Sequence, residues 1–135
     1  MKKIFLILGF GIFTVTSLLA QETNDNSEKI RDRMKEFIQK RMRLSANEAD
    51  QFTPVFYRYY NEWRSALKEN RADPLFRQQK IIELRLRYRS NFKEIMGEPR
   101  SNEVFRQQDL FIRELDALRK DRIQHRNDQV RKRFR

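Results

Sequence analysis

Leu44-Ser45-Ala46-Asn47-Glu48-Ala49-Asp50-Gln51-Phe52-Thr53-Pro54-Val55-Phe56-Tyr57-Arg58-Tyr59-Tyr60-Asn61-Glu62-Trp63 is the stretch that decides the fold. It joins a helix start to most of the chain's aromatic mass. Ser45 is an N-cap whose hydroxyl accepts from the Glu48 backbone N–H, and the Glu48 side chain can reach back to the N–H of Ser45, a capping box. Leu44 stands at the position before the cap, where it packs down as a hydrophobic staple. Behind it, Ala49, Phe52, Phe56, Tyr59, Tyr60, Trp63 and Leu67 recur at helical spacing and form one apolar stripe. The helix runs to about Asn70. Pro54 lies well inside it, where proline removes a backbone donor and clashes one turn back. A kink, or a restart with Thr53 as cap and Pro54 as first residue, is therefore expected.

Upstream, a helix is expected from Glu28 to Arg43 with Ser27 as its N-cap. Ile30, Met34, Phe37, Ile38 and Met42 line its apolar face, and Lys29, Arg31, Lys35, Gln39, Lys40 and Arg43 the other. Residues 21–27 are polar and aperiodic and are expected to form a flexible leader. Residues 1–20 combine Met1-Lys2-Lys3, an apolar run from Ile4 to Leu19 and a small residue, Ala20, for cleavage. That layout is a secretory signal peptide, with an uncleaved anchor as the alternative. Loss of Lys2 and Lys3 leaves +9 of the formal +11.

Downstream, Asp73-Pro74 is a cap followed by a first helical residue, opening a third helix that runs to Met96. Phe76, Ile81, Leu84, Tyr88, Phe92 and Ile95 make its stripe, and Glu83–Arg87 is a favourable i,i+4 pair. Gly97 suits the left-handed position after the helix end, and Pro99 stops continuation. Ser101 is expected to cap a fourth helix with the stripe Val104, Gln108, Phe111, Leu115 and Leu118, widened by Ile112. Asp109–Arg113 and Asp116–Lys120 are read as further i,i+4 pairs. The helical domain therefore spans 28–118. Residues 119–135 are a basic tail, helical at first and then frayed, serving either as a solvated end or as an electrostatic arm for an acidic partner or lipid headgroups.

The fold class is all-α, with four helices. With 135 residues the chain holds at most one domain, and three Gly and three Pro are too few for a many-turned β-fold. There is no Cys, so no disulfide framework and no lipid-anchored cysteine. The single His125 sits in a basic stretch, so three or four metal ligands are not assembled. No Gly-rich phosphate loop is present, no nucleophile has a recognisable setting, and the carboxylates mostly have a cation within a helical turn. A non-enzymatic role follows, with no cofactor and no metal. Export argues against nucleic acid as the partner of the positive charge.

Leu44-Ser45-Ala46-Asn47-Glu48 resembles the Leu-Thr-x-x-Gln motif of the Spy/CpxP family of small periplasmic helical proteins, with Leu44 matching, Ser45 for the Thr and Glu48 for the Gln. The second copy that the family usually carries is not matched by Met96 to Glu103. The run Phe52-Thr53-Pro54-Val55-Phe56-Tyr57 is similar to Bacteroidetes proteins grouped there. The resemblance implies a thin, curved antiparallel homodimer in the periplasm. It also implies either an ATP-independent holdase for unfolded protein or a regulatory partner of an envelope-stress sensor, whether a sensor kinase or a sigma/anti-sigma system. A thin layer of helices offers little room for eleven Phe, four Tyr and Trp63, so several rings are expected on a binding or dimer surface. Met34, Phe37, Arg41 and Met42, with Arg58 across a groove, are the expected contacts. Weak contact of the tail with an anionic membrane surface is a further expectation.

Overall fold

The computed structural model describes residues 16–134, with side chains from 25 onward. It is all-α: α1 (Thr16–Met42), α2 (Ala46–Glu69), α3 (Pro74–Met96) and α4 (Glu98–Arg133). Residues 1–15 of the expected signal segment lie outside the described residues. The chain divides into two compact units at Arg33–Met34. The first contributes the early turns of α1, where Arg31 Nε donates to the Asp32 carboxylate at 3.1 Å. The second holds the rest of α1 and the other three helices.

α1 begins earlier than its sequence suggests. Ser27 lies inside the helix and is not its cap, and residues 21–27 are helical where a flexible leader is expected. Between Gly11 and Pro54 there is neither Gly nor Pro to stop a helix. The Asn, Asp and Thr of the leader disfavour helix by only tenths of a kcal/mol each, roughly. The far end is sharply defined. Arg43 takes φ 51. Its N–H reaches Lys40 O at 3.2 Å, and the Leu44 N–H reaches Gln39 O at 3.1 Å. This is a Schellman motif with Arg in the place that Gly usually fills.

Ser45 caps α2 as its sequence requires, accepting from the Glu48 N–H at 3.1 Å. The other half of the capping box is replaced. Arg100, from the first turns of α4, takes the Glu48 carboxylate at 2.7 Å and donates to Met42 O at 3.0 Å. One guanidinium thereby ties the end of α1 to the start of α2. α2 then runs unbroken through Pro54, so Thr53-Pro54 does not restart it. Thr53 Oγ1 instead donates to Ala49 O at 2.9 Å, and Gln39 of α1 donates to that same hydroxyl at 3.1 Å.

Asp73 caps α3, accepting from Leu75 N and Phe76 N at 3.1 and 3.0 Å. At the far end Gly97 has φ 85 and ψ 164, an extended positive-φ conformation and not the left-handed helical one expected. α4 starts immediately after it. Ser101 is therefore not the cap. Its N–H already donates to Gly97 O at 3.1 Å, and its hydroxyl turns back to Glu98 O at 2.7 Å. Pro99, preset for a first turn, fixes the start at Glu98, with Gly97 at the cap position four residues before Ser101.

The core of the second unit is built on the α2 stripe. Phe52, Phe56, Tyr59 and Tyr60 are buried against Leu84, Tyr88, Phe92 and Met96 of α3, Val104 and Phe105 of α4, and Met34 and Ile38 of α1. Phe92 lies 5.4 Å from Phe52, 6.1 Å from Tyr59 and 5.8 Å from Phe105, measured between ring centres. Each such pair adds about 0.5–1.5 kcal/mol to plain burial.

The two positive-φ residues among those described call for opposite outcomes on substitution. Arg43 is exposed, so Arg43→Gly should relieve its backbone and raise stability by about 0.5–1 kcal/mol. At Gly97 an added Cβ meets only Pro99 Cδ at 4.0 Å. Gly97→Ala therefore clashes with nothing, yet its φ/ψ should cost about 1–3 kcal/mol. Urea unfolding of the two variants checks both signs.

Candidate functional site

α1 turns its apolar face inward. Met34 is 1% exposed and belongs to the core, while Phe37 and Met42 pack against it. The Phe37 ring meets Phe111 of α4 edge-on, with centres 5.4 Å apart. Arg41 lies over Phe37 at 5.4 Å and donates through Nε to Gln107 at 2.8 Å. Arg58 is exposed on α2. The five expected contact residues therefore do not line an open groove, because α2 and α4 of the same chain already cover the Met34–Phe37–Met42 face. Even the side read as solvent-facing is engaged: Lys35 reaches the Tyr57 hydroxyl at 3.4 Å. Of the family-like residues, Leu44 packs on the core, Ser45 caps, and Glu48 holds Arg100.

The aromatic rings are also largely enclosed. Among the described residues, only Phe76 and Phe134 carry an exposed ring, at 43% and 87%. The expectation of a surplus of rings seeking a dimer or client surface is thus corrected. One chain encloses them, because the α2 stripe is wide enough to meet α1, α3 and α4 at once.

Some carboxylates reach across helices, and others pair within their own helix with a different cation from the one the spacing suggested. Asp109 takes both terminal nitrogens of Arg85, at 2.5 and 3.2 Å. Glu62 takes Arg87 at 2.5 Å and the Tyr88 hydroxyl at 2.6 Å. Glu83 holds Lys80 in place of Arg87, and Asp116 holds Arg119 in place of Lys120. Beneath the Arg85–Asp109 pair, Gln108 is fully buried. Its Oε1 accepts from the Tyr59 hydroxyl at 2.5 Å and from Arg85 at 3.1 Å, while its Nε2 has no partner among the described residues. Burial works against the Arg85 cation, but its hydrogen bond to Asp109 and the neighbouring Tyr59 together hold it above its ordinary value.

What is left open to a ligand is elsewhere. On α3, Leu75, Ile82 and Leu86 are 78%, 56% and 51% exposed. At spacings of seven and four residues they fall within about 40° of one another, roughly 140° from the buried Leu84–Tyr88–Phe92 face. Arg89 and Lys93 continue the same line. α3 thus has two apolar faces. Only the inner one stands out in the sequence, because its aromatic residues dominate the pattern. The outer one follows the same helical spacing and was open to the same reading. Phe76, read as part of the inner stripe, is exposed and lies under the Lys80 ammonium at 5.1 Å. The other open apolar side chains, Leu118, Ile123, Val130 and Phe134, lie along the second half of α4.

Comparison with protein-family models, with curated proteins and with solved structures finds no match. Among the described residues no three His, Cys, Asp or Glu converge as a metal set. None of the described helices is long and apolar enough to cross a membrane.

Burial pushes the Tyr59 hydroxyl above its ordinary 10.0. Burial, and then the bond to Glu62, do the same to Tyr88. Both phenols stay protonated in the fold where those of an unfolded chain ionise. Their contribution is intact below pH 10.0 and fades as the pH climbs past the raised folded values. Phenolate absorbance from Tyr59 and Tyr88 should therefore rise together with the loss of helical circular dichroism as the pH is raised. Tyr59→Phe should flatten this alkaline dependence.

Proposed function

We propose that this chain is a non-catalytic, exported binding protein that acts as an ATP-independent holdase in the manner of the Spy/CpxP family, capturing unfolded protein in the periplasm. The observation that carries this reading is the outer face of α3. Three large aliphatic side chains there stand open to solvent in one line, and Arg89 and Lys93 extend that line. Exposed apolar patches on a folded chain mark interaction sites. Positive charge alongside them speeds the first encounter with acidic segments, and contact with apolar ones then holds the client. The surface invoked is α3, not the α1 groove suggested by Met34, Phe37 and Met42.

A second reading, a regulatory partner for the periplasmic domain of a stress sensor, draws on the shortness of that stripe. Three side chains over about three turns suit one helix laid in one groove better than a broad client surface.

Light scattering of a reduced, aggregating client separates these outcomes. The wild-type chain at stoichiometric ratio and low salt should suppress aggregation. Leu75→Gln, Ile82→Gln and Leu86→Gln together should weaken that suppression about tenfold with helical content unchanged, since Gln is a good helix former at exposed sites. No suppression by the wild type removes the holdase reading. A single dominant partner, captured from envelope extract by the wild type and lost in the triple variant, favours the regulator.

A further inference from the structure

The second half of α4 is a continuous helix to Arg133 in which every described residue from Arg119 onward is exposed. Residues 119–135 hold eight Lys and Arg against Asp121 and Asp128, a formal +6 of the chain's +11. The charge is not spread evenly. Ile123, Val130 and Phe134 stand at i, i+7 and i+11 and fall within about 40° of one another. Arg119, Arg122, Arg126 and Arg133 form the row beside them, within roughly the next 100°. Asp121 and Asp128 lie about 150° from the apolar line, on the far side. Asp116, at the near end of that line, is held by Arg119 at 3.8 Å.

We propose that this arm is a membrane-surface helix whose ligand is an anionic phospholipid bilayer. A helix lying in the headgroup layer needs an apolar line to sink, cations beside it at phosphate depth, and its carboxylates turned to water. All three are present, and the longest reach belongs to Phe134, which is 87% exposed at the helix end. Arginine suits the depth, since its aliphatic stem runs along apolar surface while the guanidinium stays among the phosphates. A soluble polyanion would use the Arg row but would have no use for Ile123, Val130 and Phe134. The sidedness therefore favours a bilayer over a polysaccharide or nucleic acid. The arm does not include the outer face of α3, so this inference stands or falls separately from the holdase reading.

Co-sedimentation of the full chain with vesicles tests it, using phosphatidylcholine alone, an equimolar mixture with phosphatidylglycerol, and heparin as a soluble polyanion. The mixed vesicles should bind at least about tenfold more tightly than the neutral ones, and the difference should shrink as salt rises. Ile123→Ser, Val130→Ser and Phe134→Ser together should lose about tenfold on mixed vesicles while heparin binding holds. Arg119→Gln, Arg122→Gln and Arg126→Gln should weaken both. These positions are exposed, and unchanged thermal unfolding will show that the fold survives. Equal binding to neutral and anionic vesicles, no vesicle binding, or a serine variant that binds mixed vesicles as well as the wild type would each overturn the proposal. The last result would leave a charged tail with a polyanion as its ligand.

Discussion

Everything in the second unit depends on the packing of Tyr59 and Phe92. Tyr59 touches four rings drawn from α2, α3 and α4, with centres 6.1 Å away at Phe56, 5.4 Å at Tyr88, 6.1 Å at Phe92 and 5.5 Å at Phe105. Its hydroxyl cannot be buried without a partner, so the same packing requires Gln108 beside it, and Arg85 above them both. Arg85 is in turn fixed by Asp109 and lies over Phe105 at 5.5 Å. Apolar area supplies the drive to assemble α2, α3 and α4. The polar group at its centre specifies how they meet, because any sliding of one helix leaves the buried Tyr59 hydroxyl or the Gln108 carbonyl oxygen unpaired.

Helix starts were legible where one local signal stood alone. Ser45 and Asp73 each offer a side-chain oxygen to backbone donors two or three residues on, and that chemistry needs nothing from the rest of the chain. The start of α4 was misread because two signals compete within three residues, and Pro99 prevails over Ser101 once Gly97 turns the chain. Ion pairing was misread for a different reason. Sequence spacing exposes only partners one turn away, whereas Arg85–Asp109 and Arg87–Glu62 depend on which helices come to lie side by side. The fate of the rings was the least legible. A stripe on α2 says that something covers it, but whether the cover is the same chain depends on how α1 and α4 return to it.

With Met34 in the core and Phe37 and Met42 packed against it, the exposed residues singled out among those described are cations and apolar side chains on the outer line of α3 and the arm of α4, Phe134 included. Exposed Leu, Ile and Arg impose little geometry beyond apolar contact and charge. Leu44, Ser45 and Glu48 are the residues that resemble the Leu-Thr-x-x-Gln motif. In this chain all three serve the joint between α1 and α2, where Glu48 is tied to Arg100.

One chain encloses its own aromatic core, and guanidinium unfolding followed through Trp63, whose ring lies 5.7 Å from Tyr60 at the edge of that core, can show whether it does so alone. The midpoint should be the same over a roughly hundredfold range of protein concentration. A midpoint that rises with concentration would mean that a second copy completes the core, and would contradict the account.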